Sequence, residues 1–181
     1  MFFNALKDRK RMVAIDELLD DQGNLLQEEK QKTDWAQAFF VKLLAKPAST
    51  GLEDQETDHI LSFCRTRVNG IQRERLEADF TNKELLEATM ELGKNKAPGP
   101  DSLPLEFFLL LWEAVAPSLL RFATTGLQNG KLPPFVTAGD IILLPKEGDQ
   151  KLLQNKRSIT LLNAGYKILA KAIQKRLAPV L

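Results

Sequence analysis

The sequence predicts an α+β fold that is mainly helical and carries a short antiparallel hairpin. Apolar residues recur at the helical spacing of three and four, as in Trp35, Phe39 and Leu43, and this spacing indicates amphipathic helices. Residues 140–144 (DIILL) are apolar and partly β-branched and predict a strand, and residues 158–161 (SITL) predict the strand that returns beside it. Helical segments outnumber these strands, so helices dominate the predicted fold.

The first fifty residues predict a further hairpin followed by a helix. Residues 20–24 (DDQGN) have turn chemistry and separate two apolar clusters, so a hairpin is expected over residues 13–27. The Trp and Phe spacing then predicts an amphipathic helix over residues 28–46, with its aromatic side chains in the core.

The next segment predicts a linker and one helix. Residues 47–58 are polar and contain Pro, Ser, Thr and Gly, a composition typical of a linker. A helix is expected from about residue 57 to residue 68, and Asn69 with Gly70 is expected to end it.

Two helices are clearly indicated after residue 80. Thr81 and Glu84 have the spacing of a capping box, in which the Thr hydroxyl and the Glu carboxylate satisfy free amides at a helix start. Gly93 suits the end of that helix. Pro104 would open the next helix, which is expected to include Val115.

The remaining elements follow from proline, glycine and apolar spacing. Pro117 is expected to begin a further helix that Gly130 closes, and the pair at residues 133–134 is expected to stop any continuation. Asn163 is expected to cap a last helix with one apolar face. The opposite face of that helix is predicted to carry Lys167, Lys171, Lys175 and Arg176.

Charge is unevenly distributed along the chain. The net charge is +1, but residues 1–93 hold 13 basic and 18 acidic residues, whereas residues 94–181 hold 12 and 6. From Lys151 onward there are seven basic residues and no acidic one. This asymmetry suggests a polyanionic partner for the second half; the alternative is a solvated basic helix face.

The composition argues against several kinds of site. Cys64 is the single cysteine, so an internal disulfide is excluded, and with His59 as the single histidine a zinc site is not expected. The apolar neighbours of Cys64 favour a small buried residue over a nucleophile. No signal peptide is expected, because charged residues follow residues 1–4 closely. The longest apolar run, residues 107–112, is too short to cross a membrane. An intracellular protein of the nucleus or cytoplasm, not secreted and without a membrane partner, is therefore expected.

Residues 94–104 (KNKAPGPDSLP) are the most informative segment of the sequence. Three prolines and a glycine within eleven residues exclude a helix interior or a central strand. Two lysines open this loop, and a helix is predicted on each side of it. A stiff, basic loop held between helices is suited to contact phosphates.

This loop is followed, at a defined spacing, by residues 140–149 (DIILLPKEGD), 155–163 (NKRSITLLN) and 161–177 (LLNAGYKILAKAIQKRL). In that order the set resembles the fingers region of LINE-type (non-LTR) retrotransposon reverse transcriptases. The resemblance implies a partial reverse-transcriptase fingers subdomain from which the palm is missing. The regions that it implies are a connector at residues 1–50 (hairpin plus amphipathic helix), a linker or variable region at residues 51–79, and a truncated fingers region at residues 80–181.

The resemblance also implies nucleotide-binding residues. Arg157 stands at the position of the family's nucleotide-binding arginine, and Lys146 matches a basic position near template or nucleotide phosphates. Phosphoryl transfer depends on such charge stabilisation, and a guanidinium can bind phosphate oxygens with two parallel hydrogen bonds. The alternative is that Arg157 only solvates the hairpin edge, and for Lys146 both alternatives stay open.

Further residues would contact nucleic acid by the same resemblance. Lys94 and Lys96 would bind the backbone of an RNA template or an RNA–DNA duplex without reading its sequence. Lys167 and Lys171 on the last helix would add to this path, and Tyr166 would either line the path or be buried. The residues expected to structure the loop are Pro98, Gly99, Pro100 and Asp101, the last as an acceptor of backbone amides.

The chain departs from the family pattern in two places. Ser102 stands where the family usually has Gly, and residues 156–159 (KRSI) stand where it has Trp-Arg-Pro-Ile. Both departures suggest the decay of a once-active element.

The catalytic part of the family enzyme is not expected in this chain. The family polymerises dNTPs with Mg²⁺ held by aspartates in two downstream motifs, and neither motif occurs here, so no catalytic residue, metal ligand or cofactor is predicted. The expected function is that of a fragment of an RNA-directed DNA polymerase, inactive without a palm region as its partner and able to bind nucleic acid weakly. The alternative is a non-enzymatic helical module, derived from a retroelement, that binds nucleic acid or protein.

Overall fold

The chain folds into helices and two short hairpins in a computed structural model that describes residues 15–45, 52–63 and 67–180. The hairpins are formed by β1 with β2 and by β3 with β4, and a 3-10 turn, Leu153–Asn155, precedes β4. The strands are β1 (Leu18–Leu19), β2 (Leu25–Leu26), β3 (Gly139–Pro145) and β4 (Lys156–Leu162). The helices are α1 (Glu29–Leu44), α2 (Leu52–Ser62), α3 (Gly70–Glu77), α4 (Asn82–Glu91), α5 (Leu105–Leu110), α6 (Trp112–Asn129), α7 (Pro134–Thr137) and α8 (Ala164–Leu177).

The chain divides into two compact units. The first unit comprises Met1–Ser62 and Ile142–Ile159, and the second comprises Phe63–Ile141 and Thr160–Leu181. The outer part of the β3–β4 hairpin therefore belongs to the first unit, and its base belongs to the second.

The β1–β2 hairpin of the first unit forms where the turn residues predict it. Leu18 pairs with Leu26 and Leu19 with Leu25 in an antiparallel register. The Asp20 carboxylate accepts hydrogen bonds from the backbone amides of Gln22 (2.9 Å) and Asn24 (2.8 Å). These turn amides are therefore hydrogen-bonded by a side chain and not by a neighbouring strand. The predicted hairpin is confirmed.

Helix α1 confirms the helix predicted over residues 28–46 but differs in what it buries. Its buried side chain is Lys32, whose Nζ donates to the Ile15 carbonyl (2.6 Å) and pairs with Glu29 (2.7 Å). Trp35 and Phe39 are half-buried, whereas Leu43 is 61% exposed. The expectation that the aromatic side chains lie in the core is met only in part, because Trp35 and Phe39 are half-buried.

The segment between residues 52 and 80 has two helices instead of a linker and one helix. Helix α2 begins and ends earlier than the helix predicted over residues 57–68, and Cys64 lies outside the described residues. Asn69 does not end a helix; it caps α3, because its side chain accepts the Gln72 amide while the Gln72 side chain accepts the Asn69 amide. A Gln at the third position completes a capping box as well as a Glu does.

The core of the second unit lies between α4, α6 and α8. Leu85, Ala88, Ala123, Ile168 and Ala172 are at most 2% exposed and belong to one cluster. Small residues at Ala88, Ala123 and Ala172 allow close approach of the three helices. The capping box of Thr81 and Glu84 is present, and Gly93 follows α4 with a left-handed φ of 78°, as predicted.

The helix predicted to begin at Pro117 begins earlier. The break lies at Leu111, between α5 and α6, and Pro117 is inside α6. A proline at the sixth helical position removes one backbone hydrogen bond, but burial of Ala116, Leu119 and Ala123 on either side holds the helix together. Gly130 ends α6 with a φ of 64°, as expected, and Pro134 opens the short α7.

The strands predicted near residues 140 and 158 are confirmed as β3 and β4. The two are antiparallel, because the start of β3 at Gly139 faces Thr160, while Lys146, just after β3, donates its amide to the carbonyl of Asn155, just before β4 (3.0 Å). Gly148 has a φ of 100° in the connecting turn, a conformation that glycine adopts without strain.

The last predicted helix is confirmed as α8, but Arg176 does not lie on its solvent face. Arg176 is 6% exposed, and its guanidinium donates to both carboxylate oxygens of Glu84 (2.8 and 3.0 Å) and to the carbonyls of Ala78 and Asp79. It also lies 4.1 Å from the ring centre of Phe80, a cation–π distance. One side chain thus joins α8 to the end of α3 and the start of α4.

Among the described residues, none of the helices has the length and apolar character that a membrane crossing requires.

We expect acid to destabilise the second unit through Glu84. Hydrogen bonds from Arg176 lower the pKa of Glu84 from 4.5 to about 2, so the stabilisation is complete above about pH 4.5 and is lost as the pH falls toward 2. Because the Glu84 side chain is 36% exposed, solvent screening reduces the contribution to about 1–2 kcal/mol. Urea unfolding between pH 6 and pH 2.5 measures this loss.

Glu84→Gln is the matched control, because glutamine retains the capping box but does not titrate. The variant should be less stable at pH 6 and should lose less stability on acidification. An equal pH dependence in both proteins would contradict the assignment.

Candidate nucleic-acid interface

Residues 94–104 of the second unit, here called the proline loop, are held by Asn163. Asn163 is 5% exposed; its Oδ1 accepts the Asp101 amide (3.1 Å), and its Nδ2 donates to the Phe135 carbonyl (2.9 Å). Asn163 is the N-cap residue of α8, as predicted, but its side chain makes no capping hydrogen bond to that helix. The amide bridges the loop and α7 instead, because a buried amide must satisfy both its donor and its acceptor.

Gly99 lets the proline loop approach the backbone at the start of α8. It is buried, and a Cβ added there would lie 2.5 Å from the Asn163 Oδ1 and 2.5 Å from the Leu162 carbonyl carbon. Such distances are impossible for a real Cβ, and two of the closest atoms are backbone atoms that cannot move aside. The position therefore requires glycine.

A turn at residues 99–103 completes the proline loop. The Ser102 amide donates to the Gly99 carbonyl (2.9 Å), and the Asp101 Oδ1 accepts the Leu103 amide (3.0 Å). Ser102 has a φ of 58°, a left-handed conformation that is strained for any residue with a Cβ. Glycine, which the resembled family usually has at this position, adopts it freely.

Lys94 and Lys96 project from the proline loop as exposed side chains. The turn between them is fixed by the Asn95 amide, which donates to Glu106 Oε1 (2.6 Å), and Asn95 itself has a φ of 60°. That hydrogen bond is the main cause that lowers the pKa of Glu106, and the Lys94 charge adds to it. No hydrogen bond or ion pair to either lysine side chain occurs within the described part of the chain.

Lys167 and Lys171 on α8 differ from the loop lysines because both contact other residues of the unit. Lys167 Nζ donates to the Ala97 carbonyl (3.3 Å), so it supports the proline loop. Lys171 lies 3.4 Å from a Glu91 carboxylate oxygen. Lys175 pairs with Glu87 and Glu91 on α4. The acidic face of α4 therefore offsets most of the positive charge of α8.

Lys146 and Arg157 both lie in the outer part of the β3–β4 hairpin, in the first unit. Both are exposed, and among the described residues neither side chain has a hydrogen-bond or ion-pair partner. The turn beside them is well held, because Asn155 Nδ2 donates to the Asp149 carbonyl (2.9 Å) and Gln150 donates to the Lys146 carbonyl. Two solvated cations thus project from a structured hairpin.

Tyr166 is half-buried at the start of α8, which lies between full burial and a place on the surface of the proposed template path. Within residues 15–45, 52–63 and 67–180, no three His, Cys, Asp or Glu side chains are placed to hold a metal ion.

The roles of Asn163 and Arg176 were not predicted from the sequence. Each is a polar residue next to a helix or in its last turn, and such residues usually cap a helix or face water. The informative feature is the close approach of Gly99 to Asn163 in space, and the linear sequence does not show this contact.

We expect Gly99→Ala to destabilise the second unit by about 1–3 kcal/mol, the usual cost of forcing extra volume into a packed site. Chemical denaturation measures the change. Gly70→Ala is the matched control, because no atom lies within 4 Å of a Cβ added at Gly70. Equal stability of the two variants would contradict the close approach at Gly99.

We expect Ser102→Gly to stabilise the second unit by about 0.5 kcal/mol, because relief of left-handed strain exceeds the added entropy of the unfolded chain. Ser102→Ala keeps the strain and serves as the control. A glycine variant that melts no higher than the alanine variant would show that the turn is not strained.

Nearly the whole chain is similar to a small part of a much longer known protein. No protein-family model matches this sequence. The chain is 35% identical over 182 aligned residues to the "Transposon TX1 uncharacterized 149 kDa protein" of Xenopus laevis, and the match covers 99% of this chain but 14% of that protein. The chain thus spans about one seventh of the relative's length and is similar, from end to end, to part of a transposon protein.

Proposed function

We propose that this chain is the connector and fingers part of a LINE-type reverse transcriptase and that it holds nucleic acid and the incoming nucleotide. The observation that carries the proposal is the end-to-end similarity to a transposon protein. The sequence motifs at the proline loop and the β3–β4 hairpin narrow it to a reverse transcriptase.

The distribution of unpaired charge supports a nucleic-acid partner. Lys94, Lys96, Lys146 and Arg157 are exposed, and none has an ion-pair partner among the described residues. Phosphates would replace water around these side chains without breaking a hydrogen bond or ion pair among the described residues. Each contact would release counterions from the nucleic acid, so binding should weaken as salt rises.

The proline loop supplies a rigid site for the backbone of the nucleic acid. Its conformation is fixed by Gly99, by the Asp101 turn and by the Asn163 bridge, so little conformational entropy is lost when Lys94 and Lys96 meet phosphates. Backbone contacts of this kind position a strand without reading its sequence.

The β3–β4 hairpin would bind the triphosphate of a nucleotide. The Arg157 guanidinium can donate two parallel hydrogen bonds to phosphate oxygens, and Lys146 adds a second positive charge. In this role they would stabilise charge that develops during phosphoryl transfer.

The Mg²⁺ that such a polymerase requires does not fit the residues described here. These residues contain no cluster of carboxylates that could hold it, so the metal and the catalytic carboxylates would belong to the palm of a longer protein. This chain would contribute binding and orientation.

Binding to a fluorescein-labelled RNA–DNA duplex, followed by anisotropy over a series of salt concentrations, tests the proposal. Lys94→Ala/Lys96→Ala should weaken binding and reduce the slope of log K against log salt by about 1.8, because two phosphate contacts are lost. Lys146→Ala/Arg157→Ala should likewise weaken the binding of a labelled nucleoside triphosphate.

The controls remove two exposed charges elsewhere. Arg75→Ala/Lys83→Ala matches the proline-loop variant within the second unit, and Lys30→Ala/Lys42→Ala matches the hairpin variant within the first. If the proline-loop and hairpin variants lose no more affinity than their controls do, neither surface belongs to the interface. If the wild-type chain binds neither the RNA–DNA duplex nor the nucleoside triphosphate, the proposed function is overturned.

A further inference from the structure

An open groove of about 540 Å³ runs along α6 in the second unit and continues onto the turn that follows it. Two exposed cations, Arg121 and Lys131, line it, and no acidic side chain does. Neither cation has a hydrogen-bond or ion-pair partner in the described part of the chain. The groove therefore carries two positive charges that no acidic side chain on its walls offsets.

Backbone geometry brings Lys131 to this wall. Gly130 ends α6 in the left-handed conformation and turns the chain back along the helix. Leu132 then packs against Gly126, where an added Cβ would overlap the Leu132 side chain. The absence of a side chain at Gly126 thus lets the segment after Gly130 lie close to α6.

The groove also has polar edges and an apolar base. Ser118, Thr125 and Asn129 share one face of α6 with Arg121, since their spacing follows whole helical turns. Half-buried Phe122 and Leu132 lie between them. Cations and hydroxyls beside an aromatic ring are the features with which proteins bind single-stranded nucleic acid.

The field of the groove is set by the two side chains. The C-terminal end of α6 contributes about half a negative charge at Asn129, because its last carbonyls point there. Arg121 and Lys131 contribute two full positive charges, so the net potential favours an anion. On α8, by contrast, Lys171 and Lys175 pair with glutamates of α4.

We propose that this groove binds single-stranded nucleic acid, with backbone phosphates on Arg121 and Lys131 and a base against Phe122. The proposal rests on the function proposed above and adds a second surface to it, separate from the proline loop. A single strand is favoured over a duplex because a base can reach Phe122 only when it is unpaired. The groove volume is also that of a small-ligand site, which suits nucleotide-sized units.

The test is anisotropy of a labelled, unstructured RNA 20-mer with the full chain at several salt concentrations. Each of Arg121→Ala and Lys131→Ala should weaken binding about fivefold, the effect of one unit charge about 4 Å from a phosphate in water. The double variant should reduce the salt slope by about 1.4, because single strands lose about 0.7 per phosphate contact. Phe122→Leu keeps an apolar base but removes the stacking ring, and it should weaken RNA binding with no change in salt slope.

Arg75→Ala/Lys83→Ala is the charge-matched control and should leave the affinity for the RNA nearly unchanged. Circular dichroism verifies that each variant is folded. If the double groove variant binds RNA as the control does, while Lys94→Ala/Lys96→Ala still weakens duplex binding, the groove proposal is overturned and the proposed function stands. If an oligoglutamate of equal charge competes with the RNA as strongly as unlabelled RNA does, the groove is a site for acidic peptides and the assignment to nucleic acid is overturned.

Discussion

The conformation of the proline loop in the second unit depends on contacts of the Asn163 side chain. It joins the Asp101 amide to the Phe135 carbonyl, so one buried amide connects the proline loop, α7 and the start of α8. Its position in turn requires the close approach of Gly99, which brings the loop backbone against residues 162–163. The rigidity of the loop therefore comes from its packing against the chain near Asn163 as well as from its three prolines.

A buried cation performs the corresponding task at the other end of α8. Arg176 satisfies carbonyls that follow α3 and the carboxylate that caps α4, and it stacks on Phe80. A lone buried charge would be very costly, and this one is stable because every direction of its guanidinium meets an acceptor. Asn163 and Arg176 thus fix the two ends of the same helix through polar contacts, while Ile168 and Ala172 fill the core between them.

Positive charge has two kinds of surroundings in this protein, and both kinds occur in each unit. Some lysines serve the fold through ion pairs, as Lys32 does with Glu29 and Lys175 does with Glu91. Exposed positive charge without an ion-pair partner among the described residues includes the charge on the proline loop, on the β3–β4 hairpin and in the groove of α6. A net charge of +1 hides this separation, since long-range attraction of a polyanion depends on local clusters of unpaired charge. The same separation explains why Lys167, which supports the loop through Ala97, is a poorer candidate for phosphate contact than Lys94 or Lys96.

Local sequence determined most of the secondary structure of this protein, and tertiary structure decided which polar residues are buried. The capping box at Thr81, the turn at Asp20 and the glycines at residues 93 and 130 act within a few residues, so their spacing was enough to predict them. The prediction that Pro117 begins a helix was wrong, because burial of Ala116 and Leu119 outweighs the loss of one backbone hydrogen bond at the proline. Asn163 and Arg176 could not be assigned from sequence, because their partners lie 62 and 92 residues away along the chain. Only folding brings those partners within hydrogen-bond distance, and only folding shows which lysines remain unpaired.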